Sequence, residues 1–356
     1  MNSTSAPNAQ PTHDATAFFS SDAAWFDAHL DLAYLAELGR DLTRPIGVGG
    51  SHCATLPDLA EAPVECCLAT IFCEPGLDDP SQPWGYRDSD DRVAARRAAV
   101  RQLDRYLTLE ACGAIEVLRW REDLDTPGSG RMRIAILVEG ADGIDGGEDL
   151  AWWFDRGVRV LGLAWARGTR AAGGNAAPRG LSGEGRDLVA AADALGVLHD
   201  ASHLADAAFA DLLARSDRRV IASHSNARWL MGSGENQRHL TRDQVAEIAR
   251  REGAVGLNLY GRFLAEDRSA TLEDCLRHVE AIAEIAGRER VGLGSDLDGG
   301  FGTAELPEGL RHPAQFPALD HGLAARGWSH EERRGFRCGN WFRVLRESLP
   351  PRPPHR

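Results

Sequence analysis

Residues 25–32 read WFDAHLDL. This is an aromatic-led apolar run that carries His29 at its end and Asp31 two places on. The same pattern returns in IAILVEG (134–140) with Glu139, VLHDASH (197–203) with His203, VIASHS (220–225) with His224 and VGLGSD (291–296) with Asp296. Five separate β-rich runs thus end in a His, Asp or Glu, and the carboxyl ends of parallel strands are where barrel enzymes assemble their sites. Three further apolar runs, 64–73, 158–165 and 254–260, raise the number of strands to eight. The stretches 89–112, 183–196, 205–216, 241–252 and 271–287 separate them with helical periodicity, several opening on Ser or Thr caps and closing near Gly. Strand and helix alternate, so the expected fold is α/β, a TIM-type (β/α)8 barrel occupying residues 25–349 with helices at its C-terminal end.

The ends of the chain read differently. Residues 1–24 are rich in Ser, Ala, Asn and Thr, with neither a basic start nor an apolar centre, and are expected to be a disordered tail rather than a signal peptide. Residues 350–356 form a Pro-rich tail. No run approaches the roughly 18 uncharged apolar residues of a membrane span, so a cytoplasmic location away from membranes is expected. The net charge of −13 over 356 residues disfavours phosphate backbones and makes nucleic acid a poor partner. All 40 basic residues are arginine. With no lysine, Schiff-base chemistry, a lysine P-loop and a carbamylated-lysine metal bridge are excluded. The 7 cysteines show no CxxC spacing, which speaks against a disulfide framework or a structural zinc cluster.

His29 and Asp31, one residue apart on an extended strand, share a face. With Glu139, His203 and His224 they make three imidazoles and two carboxylates, a donor set suited to zinc or a similar divalent ion. Five ligands exceed one catalytic zinc, which keeps three and an open position. With Glu139 as a bridge the set divides into His29, Asp31 and Glu139 on one ion, and Glu139, His203 and His224 on the other, with a hydroxide held between the two. Asp296, after the small residues of GLGS, is placed to move a proton to a leaving amine. His199 is expected on the same strand face as His203 but deeper, as a packed or supporting residue. Asp298 reads as a turn residue.

At these residues the chain resembles the membrane dipeptidase family, the renal dipeptidase-like M19 metallopeptidases, among the metal-dependent amidohydrolase-like barrels. DAHLDL looks like DGHNDL, DASH like DLSH, GLGSDLDGG like GIGSDFDG and CGNWFRVL like GGNFLRVL, over a match from Asp27 to about Leu349. The resemblance implies two zinc ions on the ligand set above, Glu139 bridging and acting with Asp296 in catalysis, a small peptide or amide substrate, and a tendency toward homodimers that the sequence itself does not decide. It departs from the family in two places. LGLAW puts Trp165 where the family has a histidine that contacts the scissile carbonyl. The family's substrate-binding arginine is matched by Arg238, followed by His239 and preceded by an apparent insertion around 234–237. Two readings follow: a binuclear zinc hydrolase cleaving a dipeptide or other small amide, or a metal-binding barrel with a divergent substrate or little turnover that serves as a binding protein.

Overall fold

The computed structural model of the chain describes residues 15, 17–77, 79, 81–232 and 235–354. Its centre is a barrel of eight parallel strands: Trp25–Leu30, Val64–Phe72, Met132–Glu139, Val158–Gly162, Leu198–Asp200, Val220–Ile221, Val255–Leu257 and Val291–Leu293. The first strand pairs with the second and the eighth, and neighbours follow in chain order through the sixth. The seventh pairs with the eighth. A single parallel bridge between Ala222 and Val255 closes the ring, with Ala222 N donating to Ala254 O at 3.0 Å and Gly256 N to Ala222 O at 2.8 Å. All eight expected strands are present. Several end earlier than their apolar runs, because the residues after them turn out to line the mouth.

Alternation along each strand sorts the two sides of the wall. In the third strand Ile134, Ile136 and Val138 pack outward against the helices, while Ala135 and Leu137 join Phe26, Leu68, Val160, Leu198 and Ile221 in the interior. The same period carries Glu139 to the inner rim. Helices Arg92–Ala111, Gly183–Leu195, Asp206–Leu213, Arg242–Arg250 and Leu272–Ala286 cover the outside, where the sequence periodicity places them.

The floor of the barrel is plugged from the C-terminal helix Asn340–Ser348. Trp341 Nε1 donates to Leu293 O at 3.0 Å. A Cβ on Gly292 would stand 2.3 Å from that nitrogen, so the glycine admits the indole. Phe18 and Phe19 are buried beside the same helix, 5.1 and 6.0 Å from Phe342. The expected tail through residue 24 is therefore corrected: the chain is packed from Phe18 onward, because this aromatic pair covers the barrel floor. Residues 1–14 and 16 lie outside the described residues. At the other end Arg121 N donates to Pro350 O at 2.9 Å and Arg352 N to Glu122 Oε2 at 2.8 Å, so residues 350–352 run along the turn Arg121–Asp125. Residues 355 and 356 lie outside the described residues. Among the described residues no helix is long and apolar enough to cross a membrane.

Candidate metal centre

His29 comes from the first strand, where strict alternation from Phe26 and Ala28 would turn it outward. The pairing with the second strand shifts between Asp27 and Leu30, three residues of one against two of the other. That bulge re-aims the imidazole inward. Its ring stacks on His224 with centroids 3.5 Å apart. Asp31, just past the strand at the start of helix Leu32–Glu37, is fixed by a hydrogen bond from Thr70 Oγ1 to its Oδ1.

The carboxylate of Glu139 is divided. Its Oε2 lies 3.5 Å from His29 Nε2, while Oε1 lies 3.2 Å from His203 Nε2 and 3.3 Å from His224 Nε2. Asp31 Oδ1 is 3.8 Å from His29 Nε2. Ligand atoms of His29, Asp31 and Glu139 lie within 4.8 Å of one another, as do those of Glu139, His203 and His224. The two clusters match the expected partition and share Glu139. A third grouping, His29, His224 and Asp296, sets the last carboxylate beside both clusters.

The surroundings fit cations. Among the described residues His29 Nε2 and Glu139 Oε1 are buried without a hydrogen-bond partner, a costly arrangement unless something else satisfies them. Burial holds the His203 imidazole down to about 4, aided by the charge of Arg238, and holds His224 well below its ordinary value. Both are thus neutral, the form that ligates metal. His29 goes the other way. Burial opposes its charge, but Glu139, Asp31 and Asp296 outweigh it and raise the ring to about 10, so the three acids hold a proton where positive charge belongs. Burial, with Asp31 and Glu139 nearby, pushes Asp296 up to about 8 against the pull of His29 and Arg238.

Several further side chains stand beside the site. Asn258, one residue past the seventh strand, donates from Nδ2 to Asp296 Oδ2 at 2.9 Å. Asn175 Oδ1 accepts from His203 Nδ1 at 2.9 Å. Ser223 and Asp200 stand beneath the ligands on the inward faces continued from Ile221 and Leu198. The strand-end rule reaches Asn258 and Ser223 once Asn and Ser are admitted beside His, Asp and Glu. His199 is packed as expected, but the same alternation corrects its face. With Leu198 inside, His199 faces the helix layer, and its Nε2 lies 2.7 Å from Asp193 Oδ1, away from the ligands. The expectation that it shares a face with His203 fails because the strand stops at Asp200 and His203 adopts a positive φ of 63°.

Trp165 stands beyond the end of the fourth strand, its ring centroid 5.2 Å from Phe72 and 6.1 Å from His203. Arg238 is 3% exposed, not a solvated surface arginine. Its Nη1 donates to Ser225 Oγ at 3.1 Å, its guanidinium lies 5.0 Å from the Phe263 centroid, and among the described residues Nε and Nη2 have no hydrogen-bond partner. Of the apparent insertion before it, residue 234 lies outside the described residues, as does residue 233 just ahead of it. Asp298 is a turn residue at φ 61°, and its buried Oδ2 accepts from Cys53 N and Ala54 N at 2.9 and 2.8 Å. Gly256 and Gly294 leave room for backbone rather than for ligand: a Cβ on either would lie within 1.9 Å of Ser223 O.

The chain is similar to known proteins over most of its length. The family model for membrane dipeptidases, peptidase family M19, matches residues 15–349. The chain is 33% identical over 247 residues to the uncharacterized protein in the pqqA 5′ region of Klebsiella pneumoniae, covering 65% of this chain and 86% of that one. It is 29% identical over 272 residues to the uncharacterized dipeptidase C965.12 of Schizosaccharomyces pombe, covering 74% of this chain and 62% of the yeast protein. Among solved structures, the dipeptidase AC, a metallopeptidase of family M19, superposes with a TM-score of 0.79 at 28% identity, covering 92% of this chain and 99% of that one. A metallopeptidase from Rhodobacter sphaeroides, solved with a phosphinate mimic of the dipeptide L-Ala-D-Ala, gives 0.78 at 27% identity with the same coverage. With a family model spanning the barrel from end to end, this chain belongs to the membrane dipeptidase family, the M19 metallopeptidases that hydrolyse peptide bonds.

Proposed function

We propose that the protein is a binuclear zinc dipeptidase whose substrate is a small peptide with a free carboxylate. The observation that carries this reading is the divided carboxylate of Glu139, one oxygen toward His29 and the other toward His203 and His224. His29, Asp31 and Glu139 would hold one ion and Glu139, His203 and His224 the other. Bound there, the pair would supply a nucleophilic hydroxide at neutral pH and polarise the scissile carbonyl.

The remaining groups have separate tasks. Arg238 offers two unpaired buried donors, Nε and Nη2, to the substrate carboxylate, a geometry that a guanidinium fork suits. Asp296, oriented by Asn258, carries a proton to the departing amine. Trp165 narrows the rim beside His203 and decides which residues fit there. The phosphinate complex of the Rhodobacter sphaeroides relative makes L-Ala-D-Ala the first substrate to try.

The test is hydrolysis by zinc-loaded protein of a panel of L,L- and L,D-dipeptides, each beside its C-terminal amide. Cleavage of at least one free dipeptide with strong discrimination against its amide is expected. No cleavage of any member by protein that retains its zinc would contradict the assignment and favour the binding-protein reading. Equal cleavage of the amides would remove the role given to Arg238.

A further inference from the structure

A serine hydroxyl has one proton to donate and two lone pairs to accept with. At Ser223 four polar atoms surround the hydroxyl, Ser202 Oγ at 3.2 Å among them. Asp200 Oδ2 lies 2.6 Å from the Ser223 oxygen, His224 Nδ1 2.9 Å and His29 Nδ1 3.2 Å. Asp200 is itself held, since its Oδ1 accepts from Ser202 N at 3.0 Å and Ser223 N at 2.9 Å. Its Oδ2 is therefore the oxygen left to take the serine proton. That leaves the serine lone pairs to face the two imidazoles and the Ser202 hydroxyl, and among the described residues neither Nδ1 has another hydrogen-bond partner, so each ring has only Ser223 to donate to. The Ser202 hydroxyl, 3.2 Å from that of Ser223, accepts from His224 N at 3.2 Å.

We infer that Ser223, oriented by Asp200, is a positioning residue that fixes the Nδ1–H tautomer of His29 and His224 together, presenting both Nε2 lone pairs to different ions. The inference rests on the two-ion reading and adds a coupling to it: one hydroxyl supports a ligand of each ion. Its placement is stiff. Ser223 is fully buried, and Gly256 and Gly294 bring the backbones of the seventh and eighth strands against its carbonyl. Asn175 is the contrasting case, because its oxygen serves His203 alone and hence one ion.

Two substitutions test the hydroxyl with little loss of packing. Ser223→Ala removes the acceptor. Asp200→Asn is nearly isosteric, but the two backbone donors hold its amide oxygen in place of Oδ1, so its NH2 faces Ser223. The serine must then accept from it, losing a lone pair for one imidazole. Stepwise zinc affinities are read by competition with a chromophoric chelator on the full chain, with the metal-free melting temperature as the control for folding.

Wild type should take two equivalents. Ser223→Ala should weaken both steps by about 10- to 100-fold each, the usual cost of removing a hydrogen-bond partner of a ligating histidine. Asp200→Asn should weaken at least one, and Asn175→Ala only one. Two equivalents in wild type with one or neither step altered in Ser223→Ala would overturn the coupling and leave the two-ion reading standing. A wild type that takes one equivalent would overturn the reading and the coupling with it.

Discussion

The indole of Trp165 lies 6.1 Å, centroid to centroid, from the imidazole of His203. In the family pattern a histidine at this position faces the scissile carbonyl, and a donor to a developing oxyanion commonly lowers the barrier by about 2.7 to 4 kcal/mol. An indole has a single N–H with a different reach, and its ring fills space a substrate residue would take. Wild type should therefore hydrolyse Gly- and Ala-containing L,L-dipeptides slowly, and Trp165→His should raise kcat/KM for them, by about 10²- to 10³-fold where the new imidazole reaches the oxyanion. Efficient wild-type cleavage of these peptides, unchanged or lowered in the variant, would show that Trp165 does not set the substrate class.

Asp296→Asn should keep both ions and lower kcat by about 10² to 10⁴, the range for a lost general acid-base group. Asn258 holds the side chain whichever residue stands there, so geometry is preserved. Parallel zinc analysis and steady-state kinetics separate the two effects. Undiminished turnover would end the proton-transfer role.

Arg238 is costly to the resting protein, a buried cation with two unpaired donors. Arg238→Met should leave the melting temperature equal or higher while costing about 2 to 5 kcal/mol in transition-state stabilisation for substrates with a free carboxylate. A variant that loses stability but keeps kcat/KM would reverse the assignment and make Arg238 a structural residue.

Outside the site, burial pushes His278 from 6.5 down to about 4, and its Nδ1 accepts from Ala227 N at 3.1 Å, which requires the neutral ring. The folded value is depressed, so the unfolded chain binds the extra proton between these limits. The contribution to stability is complete above 6.5 and is lost as the pH falls toward 4. Between pH 7 and 5 the wild type should lose about 2 kcal/mol more unfolding free energy than His278→Gln. Urea melts of zinc-loaded protein at both pH values measure this, and parallel losses would contradict it.

The legible part of this molecule is what period two and strand ends control. Glu139 follows from Ala135 and Leu137 on the inner wall, and the eight apolar runs define the barrel because parallel strands covered on both sides are apolar almost throughout. His29 lies beyond that rule, since its direction depends on a bulge set by pairing with a strand about 40 residues away, which no local pattern encodes. His203 escapes it through a left-handed backbone that ends the alternation. Phe18 and Phe19 read as part of a polar tail because their partner, Phe342, lies at the far end of the chain. Asn175 arrives on a hairpin loop, where spacing says nothing about what the side chain will meet.

A carboxylate shared between two ions, as proposed for Glu139, sets the metal stoichiometry of the protein. Zinc-loaded wild type, desalted and assayed by elemental analysis, should hold two zinc per chain. Glu139→Gln, which keeps the shape and removes the charge, should lose affinity for both ions together, while His203→Ala loses mainly one. A wild type that never exceeds one zinc per chain, or a Glu139→Gln variant that retains one ion at undiminished affinity, would contradict the bridge.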